Sequence, residues 1–309
     1  MKIRFAAVLL FNFTILFAQT KNICFTIDDL PVVSYGMNDT TFQRNLMNGI
    51  IQSFKKHNIP AIGFVNEFKL YKDEKINSFQ VSLLKNWVAN DLELDNHTFS
   101  HPDYNKTNFN NFTEDLLKGE IITKEILLEN NKSIKYFRHP YLHLGNTKAK
   151  YDSLNNFLKS KNYVTAPVTI DNEDYLFALA YKRALSNNDT ALSKNIGKDY
   201  INYMEEKLHY FEGQSQKLFG KNINHILLMH ASWLNSNFID SLAIMLKRNG
   251  YNFISLEETL KDDLYKTEII KFGNWGISWL DIWALSQDKK SDFFKDDPQT
   301  PLYIKKMTE

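Results

Sequence analysis

The sequence predicts an incomplete (β/α) barrel, and three observations carry that expectation. Short β-branched or aromatic runs recur along the chain, longer stretches with helical apolar spacing separate them, and residues with reactive side chains stand where the short runs end. Parallel neighbours need a crossover connection, so strands alternating with helices argue for a parallel sheet. Seven such units are many for a small open sheet and close to the number that closes a barrel.

Taken in order, the chain opens with MKIRFAAVLLFNFTILFAQT, in which Lys2 and Arg4 precede an apolar run from Phe5 to Phe17 and then Ala18. That run is shorter than the roughly 20 residues that span a bilayer. It is laid out as a secretory signal, residues 1–18, with cleavage near Ala18. The mature chain is therefore expected to be exported, periplasmic or extracellular, and free of the membrane. Its one cysteine, Cys24, falls inside the first strand and has no intramolecular partner.

The expected strands are NICFTI ending at Asp28, AIGFV ending near Asn66, LEL ending near His97, KYF ending at Arg138, VTAPVTI ending at Asp171, HILLM ending at His230 and NFISL near Leu256. Amphipathic stretches between them include Phe42 to Lys56, Phe79 to Ala89, Phe112 to Leu128 and Phe238 to Lys247. In the third of these, Leu116, Leu117, Ile121, Glu125 and Leu128 show the expected helical spacing, and Asn111 or Thr113 is placed to cap the start. The barrel domain is expected over 19–264, with a helical insertion at about 172–221 between the fifth and sixth strands. A C-terminal extension, 265–309, is expected to pack on the barrel, with Trp275, Trp279 and Trp283 forming a helical stripe that holds it there.

A 309-residue chain that is 43% hydrophobic has the material for such a core. Its 37 basic and 36 acidic residues nearly cancel without long blocks of one sign, so charge alone draws it neither to nucleic acid nor to an anionic membrane.

In a parallel barrel the carboxyl ends of the strands open onto one face, where side chains from different strands converge. Asp28 and Asp29 follow the first strand, His97 and His101 the third, Arg138 the fourth, Asp171 the fifth and His230 the sixth. His97 and His101, four residues apart and stopped by Pro102, read alone as a surface turn or as two ligands of a metal. With Asp29 they make a two-nitrogen, one-oxygen set suited to zinc or a similar divalent ion that keeps positions open. Two adjacent carboxylates repel unless positive charge lies beside them. A metal on Asp29, and Arg138 near Asp28, would relieve that repulsion and leave Asp28 as a general base. His139 and His143, beside Pro140 near the mouth, are read as packing or solvated residues, and His57, His209 and His225 as structural.

These residues resemble the polysaccharide deacetylases with the NodB homology domain, carbohydrate esterase family 4. The likeness runs from about Ile23 to Leu260 through five short motifs in order: Thr26-Ile27-Asp28-Asp29, His97-Thr98-Phe99-Ser100-His101, Arg138-His139-Pro140-Tyr141, Asp171-Asn172-Glu173-Asp174-Tyr175 and Leu227-Leu228-Met229-His230. The resemblance implies a NodB-like barrel in which Asp28 is the general base and Asp29, His97 and His101 bind the metal. It also implies that Arg138 orients the base, that the Tyr141 backbone N–H serves an oxyanion hole, and that His230 is the general acid. Support for His230 points to Asp171, with Asp174 as competitor. Two positions depart from the family pattern: Leu30-Pro31 where Gly-Pro usually follows the paired acids, and Tyr175 where motif four usually ends in tryptophan.

The implied activity is metal-dependent hydrolysis of an N-acetyl, or less readily an O-acetyl, group on a carbohydrate. Two other readings share the sequence: a metal-dependent hydrolase of small non-peptide C–N bonds such as cyclic amides, and a catalytically silent carbohydrate-binding protein. The retention of base, acid and three ligands together speaks against silence.

Overall fold

The computed structural model describes residues 20–309, so the expected signal segment, 1–18, lies outside the described residues. One parallel sheet curls around the centre. Its strands are β1 (Lys21–Val33), β2 (Ile62–Val65), β3 (Glu93–Asn96), β4 (Tyr136–Phe137), β5 (Val164–Thr165), β6 (His225–Ser232) and β7 (Tyr251–Phe253). The order is β5-β4-β3-β2-β1-β6, and β7 pairs with the start of β1 from Lys21 to Ile23.

The expected fifth strand, VTAPVTI, is corrected: only Val164–Thr165 forms a strand. Pro167 has no N–H to give a ladder, and the chain changes partner around it. The Ala166 N–H donates to the Phe137 carbonyl at 2.8 Å, whereas the Thr169 and Ile170 N–H groups donate to the Ile226 carbonyl at 3.0 Å. Ile170 forms a single parallel bridge with Leu227. This irregular segment spans the gap between β4 and β6, which is why the barrel is incomplete.

Strand alternation divides β1 between two cores. Cys24 points into the barrel with Ile62, Phe64, Tyr136, Ala166 and Ile226. Phe25 and Ile27 face the helical layer. That layer includes α1 (Thr40–His57), α2 (Ser78–Val88), α3 (Phe109–Lys118), α4 (Ile121–Leu128) and α5 (Lys148–Ser160). The single helix expected from Phe112 to Leu128 is therefore two, and its cap is neither Asn111 nor Thr113 but Asn108, which accepts from the Asn111 N–H at 2.9 Å. The break falls at Gly119, where a Cβ would stand 2.2 Å from the Thr98 carbonyl carbon. The buried Glu67 carboxylate then accepts from the Ile122 and Thr123 N–H groups at 3.1 and 2.7 Å, satisfying the exposed start of α4.

Between β5 and β6 lie α6 (Asp174–Ser186) and α7 (Thr190–Phe219); α8 (Trp233–Arg248) follows β6. After β7 comes α9 (Leu256–Thr259), and the tail carries α10 (Trp279–Ser286) and α11 (Leu302–Thr308). Trp279 and Trp283 are buried on α10, but Trp275 precedes that helix and is exposed, so the expected three-residue stripe is two residues.

Candidate functional site

Ordinary strand geometry would send Asp28 and Asp29 to opposite faces. Here Asp29 takes φ +63°, and the register of β1 shifts against both neighbours, between Ile27 and Leu30 toward β2 and between Asp28 and Val33 toward β6. Aspartate tolerates this left-handed backbone better than most residues. Both carboxylates consequently line one cavity of about 750 Å³ at the carboxyl end of the strands. Leu30, standing where the family usually has glycine, packs over Gly63; a Cβ on Gly63 would lie 2.0 Å from Leu30 Cδ1.

Asp29 Oδ1 lies 4.0 Å from His97 Nε2 and 3.9 Å from His101 Nε2. One ligand atom from each of the three residues falls within 4.8 Å of the others. The other nitrogen of His97, Nδ1, is 2.8 Å from the Arg138 carbonyl, a contact that places the proton there and turns the Nε2 lone pair toward the cluster. His101 is set by its loop, with its N–H donating to Thr98 Oγ1 at 3.1 Å. Burial lowers both imidazoles to about 4, the neighbouring His97 adding to the effect at His101. Burial alone would raise Asp29, but Lys69, His97 and His101 outweigh it and hold the carboxyl well below its ordinary range. Lys69 also donates to the Asp29 carbonyl at 2.6 Å. Two neutral imidazoles and one carboxylate are the protonation states that a divalent ion requires, so the donor set fits one.

Asp28 stands beside this cluster, its Oδ2 3.9 Å from His97 Nε2 and 3.5 Å from Arg138 Nη1. Burial raises its pKa, with Arg138 and His230 opposing. Its Oδ1 is buried with no hydrogen-bond partner. Arg138 is fully buried, donates to Thr26 Oγ1 at 2.9 Å and lies 4.7 Å over the Phe64 ring. Across the sheet, Asp28 and His230 are register partners on β1 and β6.

His230 is held by Asp174, not by Asp171. Its Nδ1 lies 2.7 Å from Asp174 Oδ1, and its backbone N–H donates to Oδ2 at 2.9 Å. Asn235 on α8 donates to the same Oδ2 at 2.7 Å and to the His230 carbonyl at 2.8 Å. Burial would lower the His230 pKa, but Asp174 outweighs it and raises it to about 9. Asp171 lines the cavity instead, pushed up to about 6 by burial against the pull of Lys207.

Tyr141 is exposed, with φ +57°, and its ring centroid is 4.4 Å from that of His101. Tyr175 faces His230 edge-on at 6.2 Å. His143 is tied to Asp103 at 2.6 Å, and His139 is buried against Phe137. His225 is buried near Thr169 and Asn222, at 3.2 Å from each, and His57 contacts Asp240 at 3.0 Å. Sequence reasoning missed Asn235 and Lys69, and it gave Thr26, quoted in the first motif, no role of its own. Asn172, whose side chain accepts from the Asp174 N–H at 3.0 Å in an Asx-type turn, was the local signal that Asp174 begins a helix and faces inward.

A curled parallel sheet with an Asp-His-His cluster, a second carboxylate and a carboxylate-held histidine at one mouth matches the NodB-like barrel that the motifs led one to expect. Residues 18–157 match the polysaccharide deacetylase family model. The solved structures agree on the fold. A mutant CE4-family pseudoenzyme with restored enzymatic activity superposes with a TM-score of 0.51 at 17% identity, over 78% of this chain and 68% of that one. Its wild-type form, from Bacillus anthracis, gives 0.50 at 16%, over 78% and 66%. No curated protein matches the chain in sequence.

Among the described residues, no helix is long and apolar enough to cross a membrane.

Proposed function

We propose that the protein is an exported, metal-dependent hydrolase that removes an N-acetyl group from a carbohydrate. One observation supports this above the rest: Asp28 and His230 are register partners beside the clustered ligand atoms of Asp29, His97 and His101. Asp29, His97 and His101 would hold the ion, zinc being the best match to two nitrogens and one oxygen. When bound, a divalent ion polarises an acyl oxygen and lowers the pKa of water.

The chain's own residues do the rest. Asp28, with Oδ1 unpartnered, is free to accept the proton of the attacking water. Arg138, fixed on Thr26, opposes the rise that burial imposes on that carboxyl and so favours its carboxylate form. The Tyr141 backbone N–H, on the cavity wall beside His101, serves the oxyanion. His230 carries a proton on Nε2 at neutral pH because Asp174 holds Nδ1. It gives that proton to the departing nitrogen, which leaves as an amine rather than as an amide anion. An ester's oxygen leaves more readily, so the acid matters most for an amide.

The experiment is acetate release from N-acetylated and O-acetylated saccharides by metal-loaded protein, with Asp28→Asn as control. Release from the amide that the control lacks supports the proposal. A cyclic amide hydrolysed with every acetylated saccharide untouched would replace it with the small C–N bond reading.

A further inference from the structure

Resting on the deacetylase reading, we infer that the insertion and the tail close the far end of the cavity. The site then takes a short saccharide or a chain end, whose hydroxyl or amino groups meet Lys207, Asp297 and Asp171.

The barrel loops supply the reacting groups, but much of the remaining wall comes from chain outside the barrel. On one rim the tail lies directly against the Tyr141 loop: a Cβ on Gly276 would stand 1.8 Å from the Tyr141 carbonyl oxygen and 3.1 Å from His143 Cδ2. On the other rim the tail returns at Asp297, Pro298 and Gln299, against Tyr203 and Lys207 of α7. Between these rims it is pinned, with Ser278 Oγ donating to the Thr169 carbonyl at 2.9 Å and Gln214 Nε2 to the Phe293 carbonyl at 2.8 Å. A volume of about 750 Å³ is also that of a small-molecule site, for which roughly 300–1,000 Å³ is usual.

The polar groups on this wall are unusual for a purely structural seam. Lys207 is only 6% exposed, and its Nζ donates to Asp297 Oδ1 at 2.6 Å. Burying the Lys207 ammonium costs desolvation that its pairing with Asp297, whose side chain is 34% exposed, only offsets, so the pair is a poor source of stability. Asp171 joins them because Asp174 already occupies the place on His230. An ammonium and two carboxylates along one wall give a sugar's vicinal hydroxyls charge-assisted hydrogen bonds, stronger away from bulk water.

The test is calorimetric binding and acetate release by the full metal-loaded chain across N-acetylglucosamine oligomers from monomer to hexamer. Affinity and kcat/KM should level off by the trimer. Asp297→Asn and Lys207→Met should each weaken dimer binding about tenfold, the cost of one charge-assisted hydrogen bond, while kcat changes little. Gln299→Ala, at an exposed wall position, weakens binding in the same direction and decides the matter if a buried substitution does not fold. Affinity and kcat/KM that climb with every unit to the hexamer, or wall variants that bind like the wild type, would overturn the inference and leave deacetylation standing. Wall-dependent binding with no acetate at any length would keep the pocket and remove the deacetylase reading.

Discussion

Asp174 grips His230 twice, through Oδ1 at 2.7 Å from the imidazole Nδ1 and through Oδ2 at 2.9 Å from the backbone N–H of the same residue. The carboxylate is fully buried at the start of α6, and Asn235 fixes its second oxygen from α8. Asn235 is itself held by the Tyr200 hydroxyl at 2.7 Å. A histidine so placed keeps its proton where an ordinary one would lose it.

The alkaline limb of the kcat/KM profile should therefore fall near pH 9, where His230 deprotonates. Asp174→Asn removes the charge that outweighs burial, and the limb should move to lower pH, as a kcat/KM titration will show. A limb unmoved by the substitution would assign it to another group.

Stability follows the same proton. The folded pKa of about 9 lies above the unfolded value of about 6.5, so the contribution is complete below about pH 6.5 and is lost as pH rises through about 9. Urea midpoints should drop between about pH 6 and about pH 10 in the wild type and drop less in Asp174→Asn.

His230→Ala should damage amide hydrolysis far more than hydrolysis of an activated acetyl ester, because only the amine needs a proton to leave. General acid assistance is typically worth about 10²–10⁴-fold. Parallel kcat measurements on the two substrates check this, and equal losses would remove His230 from the acid role.

Arg138→Met leaves the buried Asp28 carboxylate without its cation, and should cost about 3–5 kcal/mol of stability together with most of the activity at neutral pH. Denaturant titration at neutral pH measures the first and acetate release the second.

Much of this site was legible because its residues sit at the ends of apolar runs, where topology alone gathers them: Asp28, Asp29, His97, His101, Arg138 and His230 all reach one cavity or its immediate border. What escaped depended on backbone detail or on distant pairing. VTAPVTI has the composition of a strand, yet Pro167 breaks it into a two-residue strand and a bridge. The helical spacing from Phe112 to Leu128 ran through Gly119, where the need for space against Thr98 is tertiary. Asp171 and Asp174 could not be ranked without knowing that the Asn172 turn aims Asp174 inward. Lys207 and Asp297, 90 residues apart, carry no local signal of their contact.

The central claim is that Asp29, His97 and His101 bind a divalent cation, and zinc titration of chelator-stripped protein tests it most directly. One ion per wild-type chain, with affinity lost in His101→Ala and weakened in Gly119→Ala through the displaced Thr98–His101 loop, is the predicted result. A wild-type chain that takes up no ion, or a His101→Ala variant that binds it as tightly as the wild type, would contradict the account.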